Sequence, residues 1–394
     1  MKRLKIYSMM MAGALFLMTG CSAEDVVKET TSEEAIAISF SCNYDDEEEG
    51  NITRAGHQGV MNTEDLYASG FGVMASVTAG DEDPYDNIPS LMYNQKVKFT
   101  FVGDMQAPLE GFWSYQPRKY WPIDLTHCYI SAYAPYVELP IDDSGTGIIG
   151  LSENDEVPYV DYRRCEKPSE VVDLLWFYKK FGANDEIPGT GTSNAGVLDM
   201  KMHHALARLE MKVALASDPG TTKVLIEKIT LTGKMAKTGR LSLCSQETEG
   251  SGNATKYYPV WSDQVFDKNE SDVDTDHTFK ITNIDNDPSS YGIIDSQVRY
   301  IQGMPYSWQP EGLTYDAEKD EKIFLNALST GDRTGYVYLI PQNELELTVK
   351  VKYHKMTSGS DDTGVKTTTV TPTTLANPLR GNTTYTLNLT LSGI

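Results

Sequence analysis

One run near the end of this 394-residue chain limits its fold more than any other segment. Thr384-Tyr385-Thr386-Leu387-Asn388-Leu389-Thr390-Leu391 alternates polar and apolar residues without a break. A side-chain period of two puts Tyr385, Leu387, Leu389 and Leu391 on one face, which is the pattern of a half-buried β-strand. The same alternation occurs at the other end of the chain. Over 35–42, Ile36, Ile38, Phe40 and Cys42 share one face, and Ala37, Ser39 and Ser41 the other. Further strand-like runs lie at 69–77, 97–102, 113–121, 127–133, 174–178, 224–231, 278–281, 335–340 and 345–353, separated by turn clusters. The 23 tyrosines and the Thr-rich stretch at 366–374 favour strands as well. Many short strands without regularly interleaved helices predict an all-β chain built from β-sandwiches.

The stretch 200–215 is longer and helix-like at its start, yet Leu209, Met211, Val213 and Leu215 alternate, so its second half is read as a strand. Ser217-Asp218-Pro219-Gly220 then gives a sharp turn. A chain of this length exceeds one ordinary core. The turn is therefore the expected boundary between an N-terminal domain, 55–217, and a C-terminal domain, 218–394. The runs 224–231 and 240–243 read as a hairpin around 233–239.

The N-terminus assigns the compartment. Lys2, Arg3 and Lys5 precede a short apolar run at 6–18, too short for a membrane span, and then Leu17-Met18-Thr19-Gly20-Cys21. Small residues directly before a cysteine read as a lipoprotein signal peptide, 1–20, with Cys21 the lipidated (palmitate-bearing) first residue of the exported chain. Ser22-Ala23-Glu24-Asp25 is acidic, like signals that route some lipoproteins to the cell surface. The acidic stretch 45–49 runs into Ile52-Thr53-Arg54-Ala55-Gly56, where a polar loop makes Arg54 reachable by a trypsin-like protease. On the local sequence alone, an ordinary loop arginine is the better reading of Arg54.

The composition, 40% hydrophobic and 23% charged, is that of a globular protein. A net charge of −22 disfavours nucleic acid and anionic surfaces as partners. Cys42, Cys128, Cys165 and Cys244 are widely and irregularly spaced, so mostly free, buried thiols are expected. No CxxC, HExxH, GxSxG or phosphate-binding glycine loop occurs, and Gly189-Thr190-Gly191-Thr192-Ser193 reads as a plain loop. Adjacent His203 and His204 cannot share a strand face, and His204 reads as structural. Asp272-Val273-Asp274-Thr275-Asp276 begins like a calcium loop, but His277 and Asn283 stand where glycine and the bidentate glutamate are needed. No catalytic residue, metal or cofactor is assigned, and the chain reads as a non-enzyme. Trp113, Trp121, Trp176, Trp261 and Trp308 are candidates either for a core or for a sugar-stacking face.

The order of short motifs along the chain resembles the fimbrillin (type V pilin) family. These motifs are the Cys21 lipobox, Ile52-Thr53-Arg54-Ala55, and Asp65-Leu66-Tyr67 leading into Gly70-Phe71-Gly72-Val73. They continue through Tyr120-Trp121-Pro122, Tyr133-Ala134-Pro135-Tyr136 and His204-Ala205-Leu206-Ala207-Arg208-Leu209, and end at Arg380-Gly381-Asn382-Thr383-Thr384-Tyr385-Thr386-Leu387. The resemblance implies two tandem transthyretin-like β-sandwiches and an outer-membrane lipoprotein precursor whose propeptide, 21–54, is removed by an arginine-specific protease between Arg54 and Ala55. It also implies that losing the Ile36/Ile38/Phe40 strand opens a groove for a donor strand from a neighbouring pilin, in a homo- or hetero-polymer. In this chain the donor residues would be Tyr385, Leu387, Leu389 and Leu391, unless that strand stays in its own domain. A host or bacterial surface ligand is a further expected partner. The competing reading is a surface-anchored carbohydrate-binding lipoprotein that does not polymerise.

Overall fold

The computed structural model describes residues 35–44, 61, 63–78, 87–102, 111–122, 127–165, 172–182, 185–215, 222–232, 234–251, 255–266, 279–280, 292–294, 323–324, 337–343, 345, 347–357, 365–370 and 378–391. Cys21, Arg54, Ala55, Trp308, the turn at 217–220 and the calcium-loop-like segment lie outside them.

The first half comprises β1 (Ser39–Tyr44), α1 (Thr63–Ser69), β2 (Phe71–Thr78), β3 (Met92–Phe101), β4 (Gly111–Ser114), β5 (His127–Ala134), β6 (Gly147–Leu151), β7 (Tyr159–Arg163), β8 (Leu175–Phe181) and β9 (Val197–His204). The second comprises β10 (Ala207–Leu215), β11 (Thr222–Thr232), β12 (Ala236–Glu249), β13 (Lys256–Phe266), β14 (Phe279–Lys280), β15 (Gly292–Ile294), β16 (Ile323–Phe324), β17 (Val337–Leu339), β18 (Thr348–Thr357), β19 (Val365–Val370) and β20 (Thr383–Leu391). The chain is all-β and sandwich-like, with one short helix among the described residues.

A seven-stranded sheet, ordered β1-β9-β8-β5-β2-β3-β4, is covered on both faces. Successive residues on a strand point to opposite sides. Phe71, Val73 and Ala75 of β2, with Leu175 and Phe177 of β8, enter one core together with Leu66 of α1 and Ile38, Phe40 and Cys42. Met74 and Trp176 point the other way, into a second core shared with Ile148, Val160, Tyr162 and Leu241. The latter residues belong to a four-stranded sheet, β13-β12-β7-β6. Strands from both sides of the 217–220 turn thus share one sheet, with Thr238 to Ser242 paired against Arg163 to Tyr159. Two further sheets are β16-β10-β17, with β20 on β10, and β14-β11-β18-β19, with β15 on β11.

The hairpin expected around 233–239 does not form. β11 pairs with β18, β14 and β15, while β12 pairs with β7 and β13. Gly239, a turn residue in that expectation, lies inside β12, where a Cβ would sit 3.1 Å from the Trp261 ring and 3.2 Å from Ile340. Its glycine admits close packing rather than a turn. Strands β6 and β7 and helix α1 are additions to the sequence-based expectation. The helix carries Glu64 and Asp65 in its first turn, where the helix dipole favours acids, and buries Leu66.

Candidate functional site

Strand β1 is the segment whose removal the sequence makes functionally interesting, so its attachments matter most. It lies parallel to β9, from Ser39 opposite Val197 to Tyr44 opposite Met202. Along its inward face Ile38, Phe40 and Cys42 are buried, and Ile36 packs against the same core. The Phe40 ring meets Phe71 edge-on at 5.9 Å and lies 5.5 Å from Tyr115. Phe71 in turn lies 4.8 Å from Trp113, so the far end of the Phe40 slot is aromatic.

The opposite side of the strand is stitched at its start. Ile38 N donates to the Lys119 carbonyl and Trp121 N to the Ile36 carbonyl, both at 2.9 Å, and Ala37 bridges Tyr120 in antiparallel fashion. The Tyr115 hydroxyl donates to the Ile38 carbonyl at 2.9 Å. Gly196 sets the closest backbone approach. Its carbonyl accepts from Ser39 N at 2.9 Å and from the Trp121 indole at 3.0 Å. Its φ of +84° is left-handed, and a Cβ there would collide with the Ala37 carbonyl.

Farther along, a groove of about 760 Å³ runs between β1 and β4, bordered by Ser39, Ser41, Phe112, Trp113, Tyr115 and Arg118. Tyr67 stacks on Phe99 at 3.8 Å, and Trp113 lies 5.2 Å from Phe99. Phe112 remains 54% exposed at the rim. β1 therefore fits between two backbone segments, β9 and 119–121, and the segment supplies Ile38, Phe40 and Cys42 to the core. Burial, reinforced by the nearby Asp199 charge, pushes the Cys42 thiol far above its ordinary range, and burial pushes Cys128 up to about 12. Both are unreactive while the strand is in place.

Strand β20 lies against its own chain. It runs parallel to β10 in continuous register, with Leu209 opposite Tyr385, Met211 opposite Leu387, Val213 opposite Leu389 and Leu215 opposite Leu391. Leu391 is buried. The turn into the strand is held by Arg380 N donating to the Tyr385 hydroxyl at 2.8 Å and by an Arg380–Glu249 ion pair at 2.9 Å. β9 and β10 are consecutive, separated only by Ala205 and Leu206. The chain thus carries two parallel edge pairings on successive strands, β1 on β9 and β20 on β10.

The remaining candidates are structural. His204 Nδ1 lies 2.7 Å from Asp173 Oδ2, and the fully buried Asp173 carboxylate also accepts from Met61 N at 3.0 Å. Trp121 and Trp176 are buried, while Trp113 and Trp261 are half-buried within cores. Cys42, Cys128, Cys165 and Cys244 form no disulfide among the described residues. Among the described residues no group of three or more His, Cys, Asp or Glu is placed to hold a metal, and no helix is long and apolar enough to cross a membrane. The aromatic slot around Phe40 and the close approach at Gly196 are not apparent from the sequence. The alternation of Leu198, Met200 and Met202 with Asp199 and Lys201 was the available signal for β9.

No family model matches the chain, and no curated protein matches its sequence. Among solved structures it is similar to a fimbrial protein from Bacteroides vulgatus, with a TM-score of 0.50 and 17% identity over 90% of this chain and 95% of that one. It also matches a candidate cell adhesion protein from Bacteroides uniformis (TM-score 0.38, 11% identity, 91% and 94% covered). A third match is a candidate cell adhesion protein from Parabacteroides distasonis (0.40, 10%, 91% and 88%). At 17% identity, the first match shows a shared all-β fold.

Proposed function

We propose that this chain is a non-enzymatic subunit of surface fimbriae, stalk or tip/accessory, that contributes to adhesion and is joined to its neighbours by strand exchange. In this reading it is exported as a precursor lipidated at Cys21 and anchored in the outer membrane. An arginine-specific protease then cuts between Arg54 and Ala55, and the segment carrying Ile36, Ile38 and Phe40 leaves.

The observation that carries the reading is the way β1 is held. It is the first described strand, it plugs the core, and its supports are one parallel ladder and a short stitch at 119–121. Burying Ile38 and Phe40 contributes about 1.5–3 kcal/mol each, an upper estimate against an extended chain. Each ladder hydrogen bond adds roughly 1 kcal/mol net. Loss of the strand would expose both the β9 edge and an apolar cleft, which makes a sticky acceptor for an extended segment. Tyr385, Leu387, Leu389 and Leu391 supply a donor with four apolar residues at the same period as Ile36, Ile38, Phe40 and Cys42. The carbohydrate-binding alternative has less support, since the described tryptophans pack in cores rather than forming a flat exposed platform.

The test is digestion of the purified precursor with an arginine-specific protease, followed by intact mass and denaturant-resistant ladders. Cleavage after Arg54 with loss of the preceding segment and growth of ladders is expected, and Arg54→Ala should stay monomeric and folded. Ladders of normal length from Arg54→Ala would sink the maturation model.

A further inference from the structure

We infer that the β1 groove selects its occupant by an aromatic ring at the Phe40 position, and that its preferred occupant is an extended strand of a different subunit carrying that ring rather than β20 of a second copy. The inference rests on the strand-exchange reading above and adds the partner's chemistry to it.

The polarity of the site is set by β1, which runs parallel to β9. An occupant that reproduces those hydrogen bonds runs the same way and presents every second residue inward, so only even shifts keep polar residues out of the core. Four inward positions are to be filled. The first, Ile36, is half-buried, and Ile38, Phe40 and Cys42 are 1%, 6% and 5% exposed. The third is ring-lined by Phe71 and Tyr115, with Trp113 behind Phe71. The fourth holds a small side chain opposite Met200.

Sliding this chain's own last strand along the groove by even shifts gives no register with an aromatic residue in the ring slot behind two aliphatic ones. Even Leu387, Leu389, Leu391 and Gly393 in order, with a small residue in the fourth place, leave that slot part-empty. With Tyr385 at the first position, Leu387 suits the second, but Leu389 leaves the aromatic slot part-empty and Leu391 overfills the cysteine site. With Tyr385 at the second position, a phenol replaces an isoleucine that is 1% exposed, and Leu387 still underfills the ring slot. With Tyr385 in the ring slot, Gly381 and Thr383 fall where Ile36 and Ile38 belong. Both voids and overpacking weaken a packed contact. The sequence that suits the groove has two aliphatic residues, an aromatic and a small one at alternate positions, and this chain carries it only in the strand it would discard.

The test is peptide binding to the full chain cleaved at Arg54 and freed of its N-terminal segment, under reducing conditions. The probes are a labelled peptide of residues 35–43, its Phe40→Leu form, and a peptide of residues 383–392. The 35–43 peptide is expected to bind, with Phe40→Leu about tenfold weaker, the effect of losing edge-to-face ring contacts. The 383–392 peptide should bind at least as weakly as Phe40→Leu, and the pair Leu389→Phe with Leu391→Ala should strengthen it. Equal binding of the 35–43 and 383–392 peptides, or no effect of Phe40→Leu, overturns the inference and favours a second copy as occupant. Failure of every peptide to bind would instead overturn the removable-strand reading, and this inference with it.

Discussion

Replacing Phe40 with Ala removes a ring that is 6% exposed and lies 5.9 Å from Phe71 and 5.5 Å from Tyr115. A buried Phe→Ala change costs about 3–5 kcal/mol when the surroundings cannot relax. The hold on β1 is itself a small difference. Side-chain burial and ladder bonds favour docking, while ordering the strand costs about 1–2 kcal/mol per residue. A loss of that size is therefore comparable to the whole docking energy. The strand should release before the rest of the protein unfolds. Its detached population should rise about 10²- to 4 × 10³-fold. Alkylation of Cys42, followed by mass spectrometry under native conditions, reads this directly, because the thiol is buried only while β1 is docked. Global unfolding by denaturant should shift far less than in Phe71→Ala, where the same residue type sits fully buried in β2, an interior strand of the sheet. Equal global shifts in the two variants, with Cys42 protected until the whole protein unfolds, would refute the idea that β1 is a separable plug.

Gly196→Ala places a side chain at φ +84° against the Ala37 carbonyl. A strain of about 1–3 kcal/mol is expected, seen as faster hydrogen exchange at Ser39 and the Trp121 indole than elsewhere. Asp173→Asn weakens charge-assisted bonds to His204 and Met61 N. It should lower unfolding free energy by about 1.5–3 kcal/mol, measured in urea. The Cys128 thiol, raised by burial from an ordinary 9.0 to about 12, gives a pH dependence of definite sign. The unfolded thiol ionises first, so its contribution is fully present below pH 9.0 and is lost as pH rises toward 12. Melting temperature should fall over that window, and Cys128→Ala should flatten part of the fall.

Much of the fold was legible wherever one strand face is apolar and the other polar. The runs containing β1, β9's continuation into β10, and β20 follow this rule, and each lies at or beside a sheet edge. Strands β2, β5 and β8, covered on both faces, still registered as apolar runs, and legibility failed where the element is short or glycine-bearing. β6 carries Gly147 and Gly150 beside its buried Ile148, and so resembles a loop in sequence. α1 has seven residues and one buried side chain, too few for a helical period to register. Gly239 reads as a turn because a glycine admitting a neighbour's ring has the same letter as one in a hairpin. The site was half legible. Alternation picked out Ile36, Ile38 and Phe40, but their partner β9 lies far along the chain, at Val197–Met202. Parallel pairing leaves no local turn signal to announce such a partner.

The most direct measurement is the intact mass and N-terminal sequence of the protein taken from its native surface. A chain beginning at Ala55, without lipid and without Ile36, Ile38 and Phe40, is the expected result for a subunit matured by strand removal. A lipidated chain beginning at Cys21, with β1 still present in the assembled form, would contradict it.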